Sequence, residues 1–141
     1  MAGAKQVVNT LLLDSGVLIQ AEKDQRVEAV IRKWLSQGAT FLIAAPSLTE
    51  TLRGTPRDAA AQRLINAVGR IEPLSETIAS YAGTLLAGRH RGNLTVDAMI
   101  VATAVAHNAS DIFTTDPHDI GALAPAGVNV VHLDDATKTR R

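Results

Sequence analysis

The chain has 141 residues, 46% of them hydrophobic, and its 14 basic and 14 acidic side chains cancel to a net charge of zero. That size and apolar content suit a single domain with its own core, and the zero charge withholds the polycationic signature of a protein that binds nucleic acid through bulk charge. The absence of cysteine excludes a disulfide framework, a thiolate metal site and a cysteine nucleophile, and no apolar run reaches the roughly 18 residues of a membrane span, so a soluble, unexported, cytoplasmic protein is expected.

In chain order, TLLL at 10–13 is a short apolar run that serves as a first strand. From Gln25 to Gln37, Val27, Val30, Ile31, Trp34 and Leu35 recur at i, i+3, i+4, i+7 and i+8, one face of a helix that Gly38 can end. TFLIAAP at 40–46 predicts a second strand closed by Pro46. Ser47–Arg53 and Arg57–Val68 predict two helices split by GTP at 54–56, and RIEPL at 70–74 a short edge strand that tolerates Pro73. Ile78–Ala87 predicts a further helix, and DAMIVATAVAH at 97–107, apolar after its first residue, a helix buried on most sides. Strands at 111–115 and 128–133 follow, with a short helix between them, and the tail ATKTRR is read as loose and basic. The order β-α-β-α-α-β-α-α-β-α-β predicts an α/β domain whose mostly parallel sheet is flanked by helices.

On that layout the acids gather. Ligands of open parallel sheets bind at the carboxyl ends of the strands. Asp14 ends the first strand, Glu50 is expected in the first turn of the helix after the second, Asp97 opens the apolar helix, Asp116 closes the strand at 111–115, and Asp119 lies a turn beyond. Two carboxylates about 4 Å apart repel by roughly 4 kcal/mol at an effective dielectric of about 20, so such a cluster holds protons or a cation. Oxygen donors without Cys or His suit Mg²⁺ or Mn²⁺ better than Zn²⁺, and the matching chemistry is phosphodiester hydrolysis by water attacking phosphorus in line.

Each acid also has a structural role open to it. Ser47 and Glu50 have the spacing of a helix capping box, Asp97 suits a helix dipole, and Asp116 and Asp119 suit a turn and an N-cap. Asp14 has no evident capping role, and an unpaired charge at the end of a buried strand costs on the order of several kcal/mol.

Four ordered segments carry a resemblance: LLLDSGVLI with Asp14, PSLTETLRG with Glu50, LTVDAMIVATAVAH with Asp97, and FTTDPHDIGAL with Asp116. Together, over about residues 11–133, they resemble the PIN domain, and in particular the VapC-type toxins of bacterial toxin–antitoxin pairs. The resemblance implies a three-layer α/β/α fold with a five-stranded sheet, spanning the chain as one domain with its core at about 10–134. It implies a Mg²⁺- or Mn²⁺-dependent endoribonuclease that cuts tRNA, rRNA or mRNA, is usually dimeric and is silenced by a cognate antitoxin. Asp14, Glu50, Asp97 and Asp116 are then the catalytic acids, with Asp14, Asp97 and Asp116 on the metal, Thr114 as a supporting hydroxyl, and Asp119 and Ser15 as auxiliaries. The exposed side of the helix at 27–35, with the helix beginning at Arg57, is where such proteins receive the antitoxin.

The chain departs from the pattern at Gly16, where the family often has Ser or Asn, and the segment before the first strand is longer than usual. Arg53, Arg89 and Arg91 are candidate phosphate contacts, with a solvated helix end as the alternative for Arg89, His90 and Arg91, and the antitoxin's C-terminus or the acids themselves as the alternative partner of Arg53. His107 is read as a packed or capping residue and Trp34 as core. Two other functions stay open: a catalytically weak PIN module that binds RNA or protein, and a phosphoryl-receiving regulator. The second is disfavoured because no lysine lies between Lys33 and Lys138.

Overall fold

The computed structural model describes residues 9–89 and 92–139. Its elements are β1 (Thr10–Leu13), α1 (Ser15–Ala21), α2 (Gln25–Ser36), β2 (Thr40–Ala44), α3 (Ala45–Thr51), α4 (Ala59–Val68), β3 (Ile71–Glu72), α5 (Glu76–Leu85), α6 (Thr95–Ala106), β4 (Asp111–Thr114), α7 (Pro117–Leu123), β5 (Asn129–His132) and α8 (Leu133–Thr139). Two short 3-10 turns, at Pro56–Asp58 and Gly92–Leu94, lead into α4 and α6.

Every strand pair is parallel, in the order β3-β2-β1-β4-β5. The expected mostly parallel sheet is therefore wholly parallel among the described residues. Because side chains alternate along a strand, β1 serves two cores at once. Leu11 and Leu13 pack with Phe41, Ile43 and Phe113 against α1, α2, α4 and α8, while Leu12 joins Leu42 and Ile112 against α5, α6 and α7. This double coverage is why TLLL is apolar without interruption. Trp34 packs edge-on against Phe113 at 5.2 Å, which makes it core as expected. Gly38 follows α2 at φ +97, a left-handed conformation that a residue with a Cβ rarely adopts.

Three expectations need correction. α1 is an addition to the expected elements: its seven residues are too few to display a periodic apolar face, although Val17, Leu18 and Ala21 are all buried. Pro46 does not close β2 but stands in the first turn of α3, where a missing amide hydrogen costs nothing. The start of the tail, expected to be loose, is helical through Thr139 in α8, and Ala136 is fully buried.

Candidate active site

Asp14 follows β1 directly and turns the chain into α1. It has an N-cap's extended backbone, and its Oδ1 accepts from the Ser15 amide at 2.8 Å. The capping role that the sequence did not reveal therefore exists, supplied by the additional helix. Its other oxygen, Oδ2, accepts from Thr114 Oγ1 at 2.7 Å across 100 residues of chain, a contact made possible by the pairing of β1 with β4. The same threonine oxygen accepts from the Asp116 amide at 2.9 Å, so one buried hydroxyl joins two of the acid-bearing segments. Asp14 is only 4% exposed. Burial pushes its carboxyl above the ordinary range, the hydrogen bonds from Thr114 and Ser15 pull it back, and the neighbouring Glu50 raises it again.

Glu50 is the last residue but one of α3, in its second turn, not its first. The capping box does not form. α3 starts at Ala45, ahead of Ser47, and has no side-chain cap. The Glu50 carboxylate faces the sheet edge instead, and its Oε1 accepts from Ser15 Oγ at 2.7 Å. Ser15 thus bridges the segments of Asp14 and Glu50, as Thr114 bridges those of Asp14 and Asp116.

Asp97 sits in the first turn of α6, two residues after its start at Thr95. Its carboxyl is pushed up to about 7, by burial first and then by Asp14, Glu50, Asp119 and Asp116 in turn. That order is the electrostatic signature of convergence: an acid whose titration is moved by four others shares their site. Asp116 caps α7, its Oδ1 accepting from the Asp119 amide at 3.3 Å, so its cap role coexists with its place on the rim.

An open pocket of about 470 Å³ is lined by Asp14, Ser15, Glu50, Asp97, Thr115 and Asp116, with Gly16, Ile19, Thr49 and Arg53 around them. The structure thus brings the four acids together, and puts Asp119 close enough to act on Asp97. Among the described residues, no three Asp, Glu, His or Cys side chains are set to hold an ion by themselves. A donor set of open carboxylates matches a hard cation that keeps waters and shares substrate oxygens, and it does not match a closed zinc cage.

The basic residues divide. Arg53 lines the pocket, but its guanidinium donates to the carbonyls of Thr49, Leu52 and Glu50 at 2.9 to 3.1 Å, closing the end of α3. Its amide and that of Gly54 are held by the Asp58 carboxylate at 2.8 to 3.2 Å. Burial of Asp58 acts to raise its carboxyl, but the amides of Arg53, Gly54 and Thr55 outweigh that effect and hold it low. Arg89 donates to the Leu85 carbonyl at the end of α5 and is not among the pocket's lining residues. Arg91 and His90 lie outside the described residues. His107 caps α6 and faces Glu72 at 3.5 Å, away from the acids.

A family model for the PIN domain matches residues 11–122. The chain belongs to the PIN domain family. No curated protein matches it significantly by sequence. Among solved structures its PIN fold is similar to that of VapBC2 from Rickettsia felis bound to a promoter DNA fragment, at 19% identity, 87% and 98% coverage of the two chains, and a TM-score of 0.64. It is also similar to a toxin–antitoxin complex from Klebsiella pneumoniae, at 24% identity, 84% and 94% coverage, and a TM-score of 0.61. A third is VapC20 from Mycobacterium tuberculosis, described as a sarcin-ricin loop cleaving toxin, at 18% identity, 79% and 94% coverage, and a TM-score of 0.59. At these identities the likeness is one of fold. Sequence reasoning missed Thr115, Thr49 and Ile19 in this PIN pocket, because the rim positions between acids carry no pattern of their own.

Proposed function

We propose that this PIN domain is a metal-dependent endoribonuclease, the toxin of a type II toxin–antitoxin pair, cutting tRNA, rRNA or mRNA and held inactive by a cognate antitoxin. The observation that supports the proposal most is the meeting of Asp14, Glu50, Asp97 and Asp116 in one pocket, with Asp97 raised to about 7 by burial first and then by its neighbouring carboxylates. Carboxylates gathered in one pocket suit a bound cation, and Asp14, Asp97 and Asp116 are the residues that would hold Mg²⁺ or Mn²⁺. Bound there, the ion would offset the charge of the acids and of an approaching phosphate and favour water as the nucleophile.

The chain's own residues do the rest. Thr114 and Ser15 hold Asp14 with both oxygens engaged, so its carboxylate keeps one orientation. Glu50, anchored by Ser15 yet half-buried at the pocket wall, is the acid placed to accept a proton from the attacking water. Asp119 adds negative potential behind Asp97. Arg53 borders the pocket, but with its guanidinium engaged on α3 it contributes positive potential at the mouth more than a mobile phosphate clamp. A homodimer acting in the cytoplasm, with the antitoxin on the exposed sides of α2 and α4, completes the proposal on the strength of the family resemblance.

The test is cleavage of total RNA with Mn²⁺ and with Mg²⁺ by the intact chain, by Asp14→Ala and by Asp97→Ala. The intact protein is expected to cut and both variants to lose activity by at least about a hundredfold, the scale of removing a reacting group's stabilisation. Binding of RNA without cleavage under any divalent ion would favour the non-catalytic PIN module instead.

A further inference from the structure

Thr115 stands between two residues already placed in the site, Thr114 and Asp116, yet its surroundings differ from both. Thr114 is fully buried and its hydroxyl is engaged by Asp14 and Asp116; Thr115 is exposed, and among the described residues its hydroxyl makes no hydrogen bond. It lines the acid pocket, and it also borders a larger groove of about 620 Å³ between α2 and the β5–α8 segment, where Arg26, Lys33 and His132 lie together with Asp24 and Asp134. A chain of nucleotides with one phosphate among the acids and its continuation in that groove has to pass over Thr115.

Gly16 leaves the room that this hydroxyl occupies. A Cβ added at residue 16 would overlap Thr115 Oγ1 and come within 3.3 Å of Thr115 Cβ. The second residue of α1 therefore lacks a side chain where Thr115 approaches, and the threonine, stiff at χ1, points its hydroxyl into that space. The need for a donor there is plain. The pocket's carboxylates and a phosphate's oxygens are all acceptors, Ser15 Oγ is engaged on Glu50, and two Arg53 nitrogens are engaged on carbonyls. The hydroxyls of Thr49 and Thr115 remain, with two of the five Arg53 N–H groups, and of these residues Thr115 alone also lines the larger groove.

We propose that Thr115 is a substrate-contacting residue whose hydroxyl donates to a non-bridging oxygen of the RNA phosphodiester, and that Gly16 is required to admit it. The proposal rests on the nuclease reading above. The experiment compares the parent with Thr115→Ala, Thr115→Ser, Gly16→Ala and the Gly16→Ala/Thr115→Ala double variant. Four properties are read: KM and kcat on a defined RNA with Mn²⁺, equilibrium RNA affinity in EDTA by fluorescence anisotropy, Mn²⁺ affinity by calorimetry, and thermal unfolding.

Thr115→Ala is expected to weaken RNA affinity and raise KM by roughly 10- to 100-fold, the scale of one hydrogen bond to a charged group, with Mn²⁺ affinity and unfolding unchanged. Thr115→Ser keeps the hydroxyl and is expected within about threefold of the parent. Gly16→Ala favours the helix, so it does not weaken α1, but it forces the hydroxyl to turn away and is expected to reproduce the loss. The double variant is expected to be no worse than Thr115→Ala alone, because both changes act on one group. A parent that cuts RNA while Thr115→Ala leaves KM and RNA affinity intact overturns the assignment alone, as does a Thr115→Ala that loses Mn²⁺ rather than RNA. Strictly additive losses overturn the role of Gly16. A parent that neither binds nor cuts RNA overturns the nuclease reading and this assignment together.

Discussion

Replacing Asp97 by asparagine tests the acid cluster without any substrate. Burial and the neighbouring carboxylates push the Asp97 carboxyl up to about 7, from 3.8 in its ordinary state. A native group that binds its proton more tightly than the unfolded chain loses stability as pH rises, so the destabilisation grows between about pH 4 and pH 7 and is complete above. At about 1.4 kcal/mol per tenfold change in affinity, the unscreened effect is about 4 kcal/mol, and because Asp97 is half-exposed, solvent screening brings it to roughly 2 kcal/mol. The asparagine side chain has the shape of the protonated acid and never ionises. Asp97→Asn is therefore expected to be more stable than the parent by roughly 2 kcal/mol at pH 8 in EDTA, or about 4 to 8 °C in Tm, with the gap closing toward pH 4. Urea denaturation of both proteins across that range measures it, and millimolar Mn²⁺ is expected to close the gap at pH 8 by stabilising only the parent. A variant equal to or weaker than the parent at pH 8, or a gap that does not change with pH, would refute convergence of the acids. A site essential to function that lowers stability is the usual arrangement of an active centre.

Thr114→Val removes the hydroxyl shared by Asp14 Oδ2 and the Asp116 amide. It is expected to cost about 1 to 3 kcal/mol in urea denaturation and to cut RNA cleavage together with Mn²⁺ affinity. Ser15→Ala frees Glu50 while leaving the amide cap of α1 in place, so unfolding is expected to shift by less than about 1 kcal/mol while kcat drops with little change in KM. Asp58→Ala releases the amides of Arg53 and Gly54, and their hydrogen exchange is expected to accelerate with the acid pocket's metal affinity unchanged. Leu12→Ala empties a fully buried position on the face packed by α6 and is expected to destabilise by about 2 to 5 kcal/mol.

Much of the architecture is written in local pattern. Apolar runs at β1 and β2 mark strands covered on both faces, the helical spacing of Val27 to Leu35 marks α2, and the nearly all-apolar Ala98–Ala106 stretch marks a helix surrounded by protein. α1 and α8 escape such a reading because seven residues make barely two turns. The first turn of α3 is misplaced by pattern alone because Pro46 reads equally as a strand stop and as a helix start, and only the packing of Ser47 and Thr51 decides between them.

Which residues are acidic, and that Asp14, Asp97 and Asp116 fall near the ends of their elements, follows from the chain alone through periodicity and the rule that ligands meet the carboxyl edge of a parallel sheet, whereas Glu50 lies a turn further along α3 than pattern places it. What each acid experiences was decided by tertiary structure. The strand order sets β1 between β2 and β4, and that adjacency puts Thr114 against Asp14 across 100 residues, Ser15 against Glu50 across 35, and Thr115 against Gly16. Hydrogen bonds and charge repulsion act over a few ångströms of space and not along the sequence, so the titration of Asp97 and the use of Gly16 had no local trace.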